Sequence, residues 1–100
     1  MALEDIDVNQ QLPPVQARKL LSYVLEHGTV FFSAHAKREI AKDAMTEQDV
    51  INVLRAGRIF EPGELERGSW RYRCHTNIFC VVVAFSDVTQ SIVVTAWRKK

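Results

Sequence analysis

The chain has 100 residues, enough for one domain built around a single hydrophobic core. Its 47% hydrophobic and 25% charged residues are ordinary for a globular protein, and the net charge of +1 is far below that of strongly basic nucleic-acid modules. No signal peptide is visible, the longest apolar run (residues 78–85) is too short to cross a bilayer, and two cysteines make no disulfide framework. These features predict a cytoplasmic protein that does not enter membranes.

The N-terminal part is predicted to be an arm followed by a helix. Residues 1–12 contain three acidic side chains and no Lys or Arg, and we expect a loose arm there, with a single α+β domain over residues 13–100. Pro13-Pro14 then opens a helix, because proline fits the first helical turn, and Gly28 ends it.

Two further helices are predicted from their capping residues. After a short extended piece at residues 29–32, Ser33 is a plausible N-cap for a helix over residues 34–44. Thr46 with Asp49 three positions later has the spacing of a capping box and starts a third helix.

The rest of the chain has the two-residue periodicity of strands. Strands are expected at about residues 69–76, 78–86 and 91–97, preceded by short extended pieces around Pro62-Gly63. The order of elements predicts an α+β fold in which N-terminal helices pack on a C-terminal antiparallel meander of about four strands.

One face of this meander is predicted to be basic. With Thr76-Asn77 as a two-residue loop, His75 pairs with Ile78, and Arg71, Arg73 and His75 share a face. That face also carries Thr95 and Trp97, whereas the opposite, core face carries Tyr72, Cys74, Phe79, Val81, Val83, Phe85, Ile92, Val94 and Ala96. A charged edge strand that discourages pairing with other chains would explain Arg71 and Arg73 equally well, but Thr95 and Trp97 less well.

A second set of candidate residues lies on the helix predicted after Ser33. His35, Arg38 and Lys42 share one helical face, for which the alternative is a solvated surface with an incidental histidine. Glu61, Glu64 and Glu66 flank a turn and look solvated, and no cysteine or histidine spacing fits a metal site, so no metal or other cofactor is expected. Two histidines, several arginines and a hydroxyl suit RNA cleavage by the substrate's own 2′-hydroxyl, with histidine as acid or base.

The order of several segments resembles a known family. FSAHAKREI (32–40), TEQDVINVL (46–54), WRYR (70–73), VVV (81–83) and IVVTA (92–96) resemble the domain of unknown function DUF4258. That family is grouped with toxin ribonucleases of the barnase, EndoU, colicin and RelE-like type. The resemblance implies a bacterial type II toxin that a cognate antitoxin protein binds and blocks.

Candidate site residues follow from the resemblance and from the sheet face together. The resemblance implies roles for His35, Arg38, Arg71, Tyr72, Arg73 and Thr95. The role of His75 is inferred only from its position on the basic face of the sheet. The sequence thus predicts a metal-independent endoribonuclease in which His35 and His75 transfer protons, Arg38, Arg71 and Arg73 hold the phosphate, and Thr95 assists. Lys37, Lys42, Tyr72 and Trp97 would bind RNA, free or on the ribosome. The alternative is a non-catalytic module that binds RNA or a protein through the same basic face.

Overall fold

The computed structural model describes residues 2–100, which form three α-helices and one mixed sheet. The helices are α1 (Pro14–His27), α2 (Ala34–Lys42) and α3 (Glu47–Ala56), and a short 3-10 turn precedes them at Leu3–Asp5. The strands are β1 (Thr29–Phe32), β2 (Glu64–Glu66), β3 (Ser69–His75), β4 (Phe79–Asp87) and β5 (Gln90–Arg98), in the spatial order β1-β5-β4-β3-β2. The α+β class and the C-terminal meander are confirmed. The sheet has five strands, because β1 adds a parallel partner to β5.

The helix caps form as the sequence predicts. Ser33 Oγ accepts a hydrogen bond from the Ala36 amide, and Thr46 and Asp49 make both bonds of a capping box. Helix α2 ends at Lys42, two residues earlier than predicted, because Ala44 adopts φ 53° and the next amide, that of Met45, donates back to Ile40 O.

The core lies between the helices and one face of the sheet. Tyr72, Cys74, Val81, Val83, Phe85 and Ala96 are buried there, as the strand faces predict, together with helical residues that include Ala17, Leu20, Leu21, Val24, Val50 and Leu54. No helix among residues 2–100 is long and apolar enough to cross a membrane.

The hairpin between β3 and β4 has a different register from the one predicted. His75 pairs with Cys80 rather than with Ile78, and Arg73 pairs with Val82. The reason is Thr76, whose amide donates to Phe79 O and whose Oγ1 accepts from the amides of Ile78 and Phe79, so that the loop moves one residue along the chain. Because the register changes by two residues, the side chains of β3 and β4 keep their predicted faces.

Strand β5 contains an irregularity that reverses part of its predicted pattern. Val82 pairs with Thr95, as predicted, but the next residue of β4, Val83, pairs with Val93, so Val94 is an extra residue. Ser91 and Val93 are therefore buried, and the prediction that Ile92 and Val94 lie on the core face is wrong.

The acidic N-terminal segment is attached to the sheet. Asn9 O accepts a hydrogen bond from Trp70 Nε1 (3.1 Å), and the Leu12 amide donates to the Tyr72 hydroxyl (2.8 Å). Ile6 and Leu12 are buried in the core. A loose arm is the expectation for residues 1–12; in the described part, residues 2–12, these two apolar side chains and the hydrogen bonds connect the segment to the domain.

Candidate active site

A cavity of about 240 Å³ opens on the sheet face that faces away from the core. It brings together His35 from α2, Arg71 and Arg73 from β3, and Thr95 and Trp97 from β5. Five of the residues predicted from sequence therefore meet in one place. The cavity is completed by Pro62, Glu64, Glu66, Val82 and Val94.

The position of His35 follows from the way the edge of the sheet is built. Strand β1 pairs with β5 only over Gln90 to Val93, and the chain then turns into α2, which lies beside the remainder of β5. Two hydrogen bonds of Ser33 fix this junction, from its amide to Val93 O and from its hydroxyl to Val94 O. His35, in the first turn of α2, is consequently placed beside the cavity, with its side chain exposed.

The floor of the cavity is one line of cross-strand neighbours. Arg73 on β3 pairs with Val82 on β4, and Val82 pairs with Thr95 on β5. Since paired residues project from the same face of a sheet, the guanidinium, the valine side chain and the threonine hydroxyl form one row. The irregularity at Val94 adds its side chain to the lining next to Thr95.

Three carboxylates lie close to the arginines, and two of them, Glu64 and Glu66 of β2, form the nearest wall of the cavity. Glu66 Oε2 lies 3.3 Å from Arg71 Nη1, and Glu64 Oε1 lies 3.5 Å from Arg73 Nη2. Glu61 Oε2 lies 3.9 Å from Arg73 Nη1. Because all three carboxylates are at least one-third exposed, water screens these pairs, and they are loose contacts that an anionic ligand can displace.

A buried polar atom of Arg71 makes no hydrogen bond within residues 2–100. This atom is Nε, and the same guanidinium is paired with Glu66 through Nη1. A buried donor left unpaired is costly, and a phosphate oxygen bound against Arg71 would be a suitable acceptor.

His75 is not among the residues that line the cavity. Its Nε2 lies 2.5 Å from Glu61 Oε1, and the ring stacks on Phe60 with centroids 4.9 Å apart. Its backbone pairs with Arg58. Although His75 shares the sheet face with Arg71 and Arg73, as predicted, the expected pairing of His35 with His75 around one phosphate is not formed in this structure.

The other predicted residues lie away from the cavity. Tyr72, predicted to contact RNA, is buried in the core, where its hydroxyl accepts from the Leu12 amide and burial raises its pKa, so its side chain lies away from the cavity. Lys37, Arg38 and Lys42 are exposed on α2 outside the cavity lining, and Lys42 pairs with Glu39 at 3.1 Å.

Glu64 and Glu66 are the site residues that sequence reasoning missed. The available signal was their alternation in Glu64-Leu65-Glu66, directly before a turn that folds β2 onto β3. In that turn Arg67 has φ 51° and Gly68 has φ 82°, a conformation suited to a tight hairpin. The hairpin places both carboxylates on the face of Arg71.

The cavity therefore combines groups that bind an anion with groups that transfer protons. Two guanidiniums and a hydroxyl can bind phosphate oxygens, while an imidazole and two carboxylates are side chains of the kinds that act as general acids and bases. Among residues 2–100, no three His, Cys, Asp or Glu side chains cluster closely enough to hold a metal ion.

Comparison with known protein families matches the part of the chain that carries the cavity. The family model of a domain of unknown function, DUF4258, matches residues 32–98. This range begins just before α2 and includes every residue that lines the cavity, whereas α1 lies outside it. No curated protein and no solved structure matches the chain.

Proposed function

The chain belongs to the DUF4258 family, and we propose that it is a metal-independent endoribonuclease toxin of a bacterial type II toxin–antitoxin system, acting in the cytoplasm. The observation that carries this proposal is the single cavity in which His35 meets Arg71, Arg73 and Thr95. Kinship with the barnase, EndoU, colicin and RelE-like ribonucleases is part of the same proposal.

The chemistry assigned to these residues is cleavage of RNA by its own 2′-hydroxyl. Arg71 and Arg73 bind the scissile phosphate, since guanidinium groups bond two phosphate oxygens at once and stabilise the charge that develops on the phosphorane. His35 is assigned the proton transfer, because imidazole is the side chain that most often serves as a general acid or base in enzymes. Thr95 donates a hydrogen bond to a phosphate oxygen from the cavity floor.

The dimensions of the cavity fit one phosphodiester rather than a whole small-molecule substrate. Its volume of about 240 Å³ is less than the roughly 300–1,000 Å³ typical of drug-sized ligands. Trp97, partly exposed at the cavity, offers a face on which a neighbouring base stacks. The remainder of the RNA would then lie outside the cavity, across the exposed basic side chains of α2.

An antitoxin is the protein partner that this proposal includes. Phe60 and Leu65 are 63% and 60% exposed, and both belong to the segment that supplies Glu64 and Glu66 to the cavity wall. A protein that covers these apolar side chains would also block access to the arginines. The same exposed residues favour the second candidate function, a non-catalytic module that binds a protein partner or RNA on this face.

RNA cleavage in excess chelator separates the two functions. We expect the purified protein to cleave RNA and a His35→Ala variant of equal thermal stability to have lost that activity. Absence of cleavage by both proteins, together with RNA binding that weakens linearly in log salt, would instead establish the binding module.

A further inference from the structure

The proposed cleavage needs two proton-transfer groups, and His35 supplies only one. The attacking 2′-oxygen and the departing 5′-oxygen lie roughly in line through phosphorus, so the base and the acid must stand on opposite sides of it. His75 is held by Glu61 outside the cavity lining. We propose that Glu64 is the second catalytic residue, the general base that removes the 2′ proton; this inference rests on the proposed ribonuclease function.

Glu64 lies at the opposite end of the cavity from His35. The row Thr95–Val82–Arg73 crosses the floor from β5 to β3, and α2 carries His35 beside β5. Strand β2 lies beyond β3, where Glu64 is the register partner of Arg71. A phosphate bound to the two arginines would therefore have the imidazole on one side and the Glu64 carboxylate on the other.

The neighbouring carboxylates are placed less favourably. Glu66 is the register partner of Ser69, beside the turn, and its contact is with Arg71. Glu61 is engaged by His75 and does not line the cavity. Glu64 contacts Arg73, the arginine in the central row, at 3.5 Å, and its side chain is 67% exposed. A phosphate that binds Arg73 in place of Glu64 would leave this carboxylate free to accept a proton.

The reaction step balances with these two residues alone. Glu64 takes the proton of the 2′-hydroxyl while the 2′-oxygen forms a bond to phosphorus. The bond from phosphorus to the 5′-oxygen breaks, and its electron pair takes a proton from the His35 imidazolium. One product strand ends in a 2′,3′-cyclic phosphate and the other begins with a 5′-hydroxyl, and proton exchange with solvent restores both residues.

Two substrates with different leaving groups test the assignment. One is an RNA dinucleotide and the other a ribonucleoside 3′-(4-nitrophenyl phosphate), whose leaving group departs without a proton. We expect Glu64→Gln to lower kcat by roughly 100-fold or more on both substrates, because both need a base. His35→Ala should lower kcat strongly on the dinucleotide and much less on the nitrophenyl ester. Glu66→Gln should lower kcat less than Glu64→Gln does. The matched control is Glu47→Gln, on the surface at the start of α3.

Binding of an all-2′-deoxy oligonucleotide and thermal unfolding establish that each variant keeps its site and its fold. A folded Glu64→Gln variant that stays within about threefold of the parent on both substrates would overturn the assignment of Glu64, while cleavage by the parent would preserve the proposed function. Absence of cleavage by the parent would overturn both the assignment of Glu64 and the proposed ribonuclease function. If Glu64→Gln does not fold, Glu64→Ser and Glu64→Asp replace it, and equal rates for these two would contradict a role for the carboxylate.

Discussion

His75 and Glu61 form a close pair outside the cavity, with 2.5 Å between Nε2 and Oε1. The histidine side chain is 14% exposed, and Phe60 stacks on its ring. The pair joins the end of β3 to the segment that leads into β2, and that segment supplies Glu64 and Glu66 to the cavity. We infer that His75 positions the acidic wall.

The two histidines should therefore respond differently to removal. His35→Ala should lower the cleavage rate by roughly 10²–10⁴-fold, the usual contribution of a general acid or base, with little change in thermal stability because His35 is exposed. His75→Ala should lower the melting temperature, and the folded fraction should lose much less activity than His35→Ala does, because His75 acts only by positioning the segment that carries the acidic wall. The measurement is the initial cleavage rate at a temperature where both variants are folded, with His27→Ala as control. Equal losses for the two variants would contradict the assignment.

Arginine geometry should matter as much as arginine charge. Arg73→Ala and Arg71→Ala should each lower kcat by roughly 10²–10³-fold, as the loss of one donor to a charged transition state does elsewhere. Lysine at either position keeps the charge but not the paired N–H donors, so the lysine variants should recover only part of that loss. Steady-state kinetics on an RNA dinucleotide measures both effects. Arg58→Lys is the control, and full activity in Arg73→Lys would show that charge alone suffices.

The attachment of the N-terminal segment can be tested through Tyr72. Its buried hydroxyl accepts from the Leu12 amide at 2.8 Å, and Tyr72→Phe leaves that amide without a partner. We expect the free energy of unfolding to fall by about 1–3 kcal/mol. Urea unfolding measures the change, and Tyr23→Phe is the matched control. A stability equal to that of the parent would mean that the hydrogen bond contributes nothing.

The buried thiol of Cys80 predicts a loss of stability at high pH. Burial raises the pKa of Cys80 from 9.0 to about 11. Between those values the unfolded chain releases the thiol proton and the folded protein keeps it, so the free energy of unfolding falls as pH rises. Urea unfolding from pH 8.5 to 11 should show a shallower fall for Cys80→Ala than for the parent. Identical pH dependence would contradict this, as would rapid alkylation of the folded protein at pH 8.

Much of the fold was predictable because local signals and hydrophobic pattern agree along most of the chain. The caps at Ser33 and Thr46, and the alternation along β3, predict the elements and the faces that the structure has. The register of the β3–β4 hairpin was not predictable, because it depends on hydrogen bonds of the Thr76 side chain. The face on which Val94 lies depends on the register shift between β4 and β5, which no local pattern in β5 predicts.

Part of the candidate site was predictable because the side chains alternate between the two faces of the sheet along the strands. The alternation of Arg71, Arg73 and His75 predicts one basic face, and Thr95 and Trp97 share it. The acidic wall is a product of tertiary structure, since Glu64 reaches Arg73 only after β2 folds onto β3. The pairing of His75 with Glu61 is equally non-local. The contacts of His75 with Glu61 and Phe60 therefore keep it outside the cavity, whereas His35 lines it.

The most direct test of the central claim is the chemistry of the cut ends. A DNA oligonucleotide with a single internal ribonucleotide, incubated with the protein in excess chelator, should be cut only at that ribonucleotide. The account predicts a 2′,3′-cyclic phosphate on one fragment and a 5′-hydroxyl on the other, because the 2′-oxygen is the nucleophile. Cleavage of the all-deoxy oligonucleotide, or fragments that carry a 5′-phosphate, would contradict it.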